Sequence, residues 1–255
     1  MTTEETASAA PDGPAVKPSG KASLPIWQET ILLLAVAVVL AVVIKAVLVQ
    51  AFYIPSESME PGLVENDRIL VQKWSYWSGS PERGDVVVFK DPGGWLGADE
   101  STGPSNAFTK ALAKVGLFPS GGHLVKRVIG VEGDTIVCCD EQGRLSVNGV
   151  AVDEKGYARP GELDQHECFG PMTGNCSWTA GPVPKGHVFV MGDNRAHSAD
   201  STVHLCTEAE TDCVKGREFV DDDLIVGKVF VLLWPFDRFG TPDSASDLAD
   251  VPDAE

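Results

Sequence analysis

The sequence predicts a mainly β protein with a single N-terminal transmembrane helix. Three observations support this fold class: one long apolar run near the N-terminus, several short β-branched runs after it, and the hairpin-turn signal Asn148-Gly149 between two of those runs. Short β-branched runs bounded by turn residues are typical of strands, whereas about 20 consecutive apolar residues are typical of a membrane-spanning helix. The 255 residues suffice for one domain after the span, with an appended or inserted second one.

The apolar run covers residues 31–52 and carries only one charge, Lys45. Its 22 residues would form a helix about 33 Å long, enough to cross a bilayer. Trp27 and Tyr53 flank the run, as aromatic residues do at membrane interfaces. A cleaved secretory signal is the alternative, but the run exceeds the usual apolar region of about 7–15 residues, and no small-x-small site directly follows it. Residues 27–52 are therefore predicted to be a transmembrane helix.

The charges and the cysteines favour a cytoplasmic N-terminus. Two lysines precede the span and acidic residues follow it. All six cysteines also follow the span, and an even number on one side is typical of disulfides in an oxidising compartment. A zinc site is the alternative, although the chain contains no C-x-x-C motif. The disulfide pairing stays open, with Cys168–Cys176 and Cys206–Cys213 as the shortest possible loops.

Both ends of the chain are predicted to be disordered. Residues 1–26 are rich in Thr, Ala, Ser, Pro and Gly and have no apolar periodicity. Residues 237–255 form an acidic tail, which from Thr241 onward carries five acids and no base. The formal net charge of −17 argues against nucleic acid as a partner, because phosphate backbones are held by clustered Lys and Arg.

The predicted strands alternate with turn signals along the chain. One helix is predicted at Ser105–Leu117, because Phe108, Leu112 and Val115 recur there at near-helical spacing. The last β-branched run is too short for a second membrane span. The runs predicted to be strands are residues 68–72, 85–90, 123–131, 135–137, 145–147, 187–191 and 224–233.

Ser58 is a candidate nucleophile that lies six residues beyond the apolar run. A serine hydroxyl is a poor nucleophile at neutral pH and needs a neighbouring base. The five histidines are scattered, and only His197 lies in a segment that suggests a site. Lys126 is the favoured base, because it has the most apolar neighbours of the extramembrane lysines and burial lowers the pKa of an amine. The alternative is an exposed Lys126 that points outward from an edge strand beside Arg127.

Four ordered sequence blocks follow the span. At these blocks the chain resembles type I signal peptidase, the bacterial leader peptidase, a membrane-bound serine protease with a Ser–Lys dyad that removes signal peptides from exported proteins. A motif as short as S-x-S-M occurs often by chance. Four blocks in this order after a single membrane span form a specific pattern. The blocks are PSESMEPGL at 55–63, RGDVVVF at 83–89, KRVIG with GD at 126–134, and GDNRAHSADS at 192–201.

The resemblance implies the central chemistry. Ser58 would attack the scissile carbonyl and form an acyl-enzyme, while a neutral Lys126 would take its proton and later activate the hydrolytic water. The Ser56 hydroxyl and the Ser58 backbone N–H would form the oxyanion hole. Ser198 would accept a hydrogen bond from Lys126 and orient it. The resemblance implies no metal and no organic cofactor.

Further residues would support the dyad by resemblance. Asp193 would pair with Arg127 and hold two blocks together. Many members of the family place an arginine after the final D-S of the last block, where this chain has Thr202. The usual ionic partner of Asp200 is therefore missing, and Arg195 is a candidate substitute.

The expected substrates are signal peptides of exported pre-proteins, cleaved after a small-x-small motif. Such a peptide would bind extended and add as a strand to a sheet edge, since backbone hydrogen bonds tolerate variable sequences. A shallow apolar groove beside the lipid bilayer would select the small residues. By resemblance, its lining residues would be Ile54, Pro55, Met59, Leu124, Val125 and Met191.

The resemblance also implies a single-pass protein of the cell membrane with a cytoplasmic N-terminus and an extracytoplasmic catalytic domain of antiparallel β-sheet. Two alternatives stay open: a Ser–Lys hydrolase related to self-cleaving repressors, against which the span counts, and a membrane-tethered β-domain without catalytic activity. The expected division is a cytoplasmic tail (1–26), the helix (27–52), a catalytic core in two parts (53–137 and 185–236), a smaller inserted β-rich cap (138–184) and the acidic tail (237–255).

Overall fold

In a computed structural model the protein is mainly β, as its sequence predicts. The structure describes residues 25–97, 106, 122–159, 177–206 and 213–254. Within these residues the helices and strands, numbered in chain order, are α1 Ile26–Leu48, β1 Val49–Tyr53, β2 Arg68–Gln72, β3 Val86–Lys90, β4 His123–Gly130, β5 Ile136–Cys138, β6 Ser146–Val147, β7 Val150–Ala151, β8 Trp178–Ala180, β9 His187–Met191, β10 Val220–Asp221, β11 Ile225–Trp234 and α2 Ser246–Ala249.

Helix α1 is long and apolar enough to cross a membrane, by length and composition, over Ile26–Ile44. The helix ends at Leu48, four residues before the predicted end of the span, because Val49–Tyr53 forms strand β1. Strand β1 pairs antiparallel with β2, and Phe52 enters the core of the domain. Strand pairing thus satisfies the backbone of these residues and buries an aromatic side chain at the same time. The described residues form two compact units, divided after Leu40, and all the described strands belong to the second.

Seven strands form the larger sheet in the order β1-β2-β11-β3-β4-β9-β10, with antiparallel pairing throughout. Strand β3 lies inside it, and its first four residues are buried. Val86 and Val88 pack into one apolar cluster, whereas Val87 and Phe89 pack into another. Because successive strand residues point to opposite faces, the larger sheet is covered on both faces at β3.

Four short strands form a second antiparallel sheet in the order β7-β6-β5-β8. Asn148 and Gly149 connect β6 and β7 with positive φ angles of 53° and 79°, as the predicted two-residue turn requires. Ile136 and Val147 of this sheet share an apolar cluster with Phe189 of β9. This shared cluster joins the smaller sheet to the larger one.

The predicted acidic tail is not wholly separate from the domain. Ala245, Leu248 and Val251 are buried in the same cluster as the smaller sheet, and helix α2 lies between Ala245 and Val251. Arg83, itself paired with Asp134, donates a hydrogen bond to the Val251 carbonyl at 2.7 Å. The disorder predicted for residues 237–255 is therefore wrong for residues 245–251. The prediction relied on the acidic composition and overlooked three apolar residues spaced three apart.

Two disulfides occur among the described residues, Cys138–Cys139 and Cys206–Cys213. The second is one of the two pairings that the sequence analysis names, whereas the first joins adjacent residues and is shorter than both of them. Cys168 and Cys176 lie outside the described residues, and so does the helix predicted at Ser105–Leu117 apart from Asn106.

Candidate active site

Ser58 lies in a one-turn 3-10 helix, Glu57–Met59, between β1 and β2. Met59 is 1% exposed and packs in one apolar cluster with Ile54 and Leu63, which lie on either side of the turn in the chain. The Leu63 N–H donates to the Met59 carbonyl at 2.9 Å. Apolar residues before and after Ser58 thus fix the backbone from which its hydroxyl projects.

Lys126 lies in β4, which pairs with β3 on one side and β9 on the other. It is 4% exposed, so the alternative of an outward-pointing lysine on an edge strand is wrong. Its Nζ lies 2.7 Å from the Ser58 Oγ, within hydrogen-bond distance. The Ser56 Oγ lies 3.3 Å from the same Ser58 oxygen. The structure therefore brings together the candidate nucleophile, the candidate base and the candidate oxyanion donor.

The turn after β9 contacts the Ser58 turn through Gly192 and Asn194. A Cβ atom at Gly192 would lie 2.4 Å from the Ser58 carbonyl oxygen and 2.3 Å from the Ser198 Oγ, so only glycine allows this close approach. Asn194 donates its backbone N–H to the Ser58 carbonyl and its side-chain amide to the Glu57 carbonyl, both at 3.1 Å. Sequence reasoning assigned no role to Asn194, although its place in the last sequence block was a signal.

Ser198 and Asp200 form a hydrogen-bonded pair beside this turn. The Ser198 hydroxyl donates to Asp200 Oδ2 at 2.5 Å, and the Gly192 N–H donates to the same oxygen at 2.8 Å. The backbone N–H and the hydroxyl of Thr202 donate to Asp200 Oδ1 at 3.0 and 2.7 Å. The suggested Asp200–Arg195 ion pair is therefore replaced, because these donors serve both Asp200 oxygens and the Arg195 guanidinium pairs with Glu154.

Arg127 and Asp193 form a buried bidentate ion pair, with hydrogen bonds of 2.8 and 2.7 Å. The third nitrogen of Arg127 donates to the carbonyls of Gly84 and Asp243 at 2.9 and 3.0 Å. Burial alone would lower the pKa of the Arg127 guanidinium, but the Asp193 carboxylate outweighs burial and raises that pKa. The pair holds β4, which carries Lys126, against the turn that follows β9.

His197, the other candidate base, interacts with Glu57 instead of Ser58. Its Nδ1 lies 2.5 Å from the Glu57 Oε1, and both side chains are about half exposed. An exposed histidine next to a carboxylate lacks the burial that distinguishes Lys126. Within the described part of the chain, no group of three or more His, Cys, Asp or Glu residues could hold a metal ion.

The six residues expected to line the substrate groove do not all pack in the same apolar cluster. Ile54, Met59 and Val125 pack in or against one apolar cluster, and Pro55 is exposed next to Ser56. Leu124 pairs with Phe89 and packs in the cluster on the opposite face of the sheet, because adjacent strand residues point to opposite faces. Met191 packs in the cluster that joins the two sheets. The expected lining is thus distributed over three apolar clusters, and its role in binding stays a prediction.

A serine hydroxyl in contact with a buried lysine amine, in an antiparallel β domain, defines the class of protein as a serine hydrolase of the Ser–Lys type. Comparison with protein families gives the particular family. The family model described as "Signal peptidase, peptidase S26" matches residues 27–234. The chain belongs to this signal peptidase family.

Individual relatives agree with this assignment. The chain is 38% identical to a probable signal peptidase I of Mycobacterium leprae, across 84% of this chain and 78% of the relative. It is also 38% identical to the signal peptidase I of Mycobacterium tuberculosis, across 86% of this chain and 76% of the relative. A signal peptidase I crystal structure from Enterococcus faecalis covers 59% of this chain and 97% of its own chain, at 22% identity and a TM-score of 0.28, too low to compare the folds in detail.

Proposed function

We propose that this chain is an endopeptidase that removes signal peptides from exported pre-proteins, with Ser58 as nucleophile and Lys126 as general base. The observation that supports this function most is the 2.7 Å approach of the Lys126 amine to the Ser58 hydroxyl. Lys126 is buried, and burial favours the neutral amine that a general base requires. A noncatalytic β-domain would have no reason to keep a buried amine against a serine hydroxyl.

In the proposed mechanism, the Ser58 oxygen attacks the carbonyl carbon of the scissile bond while the Lys126 amine takes the hydroxyl proton. The Ser56 hydroxyl and the Ser58 backbone N–H stabilise the oxyanion of the tetrahedral intermediate. The ammonium of Lys126 then gives its proton to the leaving amine, which departs as the new N-terminus of the mature protein. The signal peptide remains as an ester on Ser58.

Hydrolysis of this ester completes the cycle. The neutral Lys126 amine takes a proton from a water molecule, and the resulting hydroxide attacks the ester carbonyl. The second tetrahedral intermediate collapses, the signal peptide leaves with a free carboxylate, and the Ser58 oxygen recovers a proton from Lys126. Ser198, whose hydroxyl donates to Asp200, keeps oxygen lone pairs with which to receive a hydrogen bond from Lys126.

The proposed specificity is for small residues one and three positions before the cut. Ile54 and Met59 of the chain around Ser58 lie in one apolar cluster, Val125 packs against this cluster, and Pro55 is exposed. A pocket with such a lining accepts a methyl group and excludes a large side chain by steric overlap.

The test of this function is cleavage of a pre-protein with an A-x-A motif by the purified full-length protein in detergent. We expect one cut after the second alanine, established by N-terminal sequencing of the product. A matched pre-protein with phenylalanine in place of that alanine should be cut about 100-fold more slowly, since overpacking an apolar pocket costs up to about 3 kcal/mol. Equal rates for the two pre-proteins would contradict the proposed pocket.

We also propose that α1 anchors the protein in the lipid bilayer with the N-terminus in the cytoplasm and the catalytic domain outside it. The lysines before the span support this orientation, and so does the Cys206–Cys213 disulfide, which fits an oxidising compartment. A protease added to the outside of intact spheroplasts should digest the domain. Protection of the domain until the cells are lysed would contradict this topology.

A further inference from the structure

We propose that the segment Glu154–Arg159, which follows β7 and precedes β8, is a positioning element of the active site. This inference rests on the proposed function of Ser58 and Lys126. The segment belongs to the region expected to be an inserted cap, and none of the four sequence blocks contains it. Its side chains and backbone nevertheless contact each of the three chain segments that carry the catalytic groups.

Tyr157 contacts the Lys126 strand through the neighbouring Arg127. The Arg127 guanidinium lies over the Tyr157 ring, 4.5 Å from the ring centroid, an arrangement in which the ring stabilises the cation. The Tyr157 hydroxyl donates to Glu154 Oε1 at 3.0 Å, and both residues are buried. The ring thus covers one face of the Arg127 guanidinium, whose nitrogens donate hydrogen bonds to Asp193 and to two backbone carbonyls.

Glu154 contacts the turn after β9 through Arg195. The two side chains form a fully buried ion pair, and the Arg195 Nε donates to the Gly192 carbonyl at 3.0 Å. Gly192 is the residue that approaches both the Ser58 carbonyl and the Ser198 hydroxyl. A change in the position of Glu154 is therefore transmitted through Arg195 and Gly192 to two groups beside the reacting serine.

The end of the segment contacts the Ser58 turn and the Asp193 backbone directly. Arg159 donates its backbone N–H to the Asp193 carbonyl at 2.8 Å, and its side chain pairs with Glu60 at 2.6 Å. Ala158 forms an antiparallel bridge with Pro61, three residues beyond Ser58. One short segment thus contacts the nucleophile turn, the base strand and the turn that orients both.

The consequence for the reaction is a dependence of the turnover rate on this segment. Catalytic groups must be held close to their productive geometry, and a displacement of about 1 Å can cost roughly 100-fold in rate. None of the side chains of Glu154, Tyr157 or Arg159 is part of the proposed dyad or pocket. Loosening the segment should therefore lower kcat and leave KM unchanged.

The variant Tyr157→Phe tests this inference, because it removes the hydroxyl that holds Glu154 and keeps the ring under Arg127. Tyr76→Phe is the matched control: the Tyr76 hydroxyl donates to the carboxylate of Asp85 at 2.7 Å, outside the candidate site. We expect kcat for pre-protein cleavage to fall about tenfold in Tyr157→Phe with KM unchanged, and to stay within about twofold in Tyr76→Phe. Tm is measured for both full-length variants, and rates are taken well below the lower Tm.

Glu154→Gln is the second variant, because it keeps a hydrogen-bond acceptor for Tyr157 and removes the charge opposite Arg195. Its kcat should fall further than that of Tyr157→Phe, and Tyr157→Phe keeps the inference testable if Glu154→Gln does not fold. Two outcomes would overturn the positioning role: an unchanged kcat in Tyr157→Phe, or an equal fall of kcat in Tyr157→Phe and Tyr76→Phe. Either outcome leaves the proposed function intact if Ser58→Ala is inactive. Activity retained in Ser58→Ala would overturn the proposed function itself.

Discussion

The variant Ser58→Ala is expected to lose cleavage of a pre-protein almost completely, by on the order of 10⁴-fold or more in kcat. The hydroxyl supplies the only protein oxygen that becomes bonded to the substrate in the proposed mechanism, so no neighbouring group replaces it. The fold should survive, because Ser58 is held by its backbone and by the apolar residues around Met59. Initial rates with an A-x-A pre-protein, together with Tm, measure both effects.

Ser75→Ala is a suitable control for this experiment. Ser75 also lies in a one-turn 3-10 helix and its hydroxyl also accepts a hydrogen bond, from the Gln72 side chain at 2.6 Å, but it lies outside the candidate site. Its rate should stay within about twofold of the unmodified protein, as for most substitutions away from a site. A Ser58→Ala protein that retains a tenth of the original rate would contradict the nucleophile assignment.

The second large effect is expected for Lys126→Met, which keeps the length and apolar stem of the side chain and removes the amine. General-base catalysis contributes about 10²–10⁴-fold, so kcat should fall by roughly 10³-fold or more, with KM little changed. Stability should be kept or improved, because a buried amine is replaced by a thioether that needs no hydrogen bond. Steady-state kinetics and thermal unfolding check the two statements.

Two control variants distinguish the base from other positive or titratable groups. Lys228→Met changes a lysine of β11 that pairs with Asp85 outside the candidate site, and its cleavage rate should be nearly unaffected. His197→Gln removes the other candidate base, and it should retain most of the activity because His197 contacts Glu57 and not Ser58. Loss of cleavage in His197→Gln with activity retained in Lys126→Met would reverse the assignment.

The features that the sequence predicted well are those with local signals. The β-branched runs and the Asn148-Gly149 turn specify strands and a hairpin through spacing and backbone preference alone. The sequence blocks identify Ser58 and Lys126 as chemically unusual, and the structure places them in contact. A pattern of residues can thus predict a candidate site before its geometry is known.

The features that the sequence did not predict depend on tertiary contacts. Helix α1 ends early because β1 finds a pairing partner in β2, which lies 15 or more residues further along the chain. Leu124 and Val125 pack in different apolar clusters, because strand alternation, and not hydrophobicity, decides the face of each. Tyr157 and Glu154 have no distinctive local motif, and only folding brings them to Arg127 and Arg195.

The contacts of the C-terminal stretch set an order for the maturation of the enzyme. Arg127, next to Lys126, donates to the carbonyl of Asp243, and Arg83 donates to the carbonyl of Val251. Asp243 follows every other residue of the candidate site in the chain, so the guanidinium beside the Lys126 amine lacks one of its acceptors until this residue has been synthesised. The candidate active site of a growing chain therefore stays incomplete until this stretch has been translated.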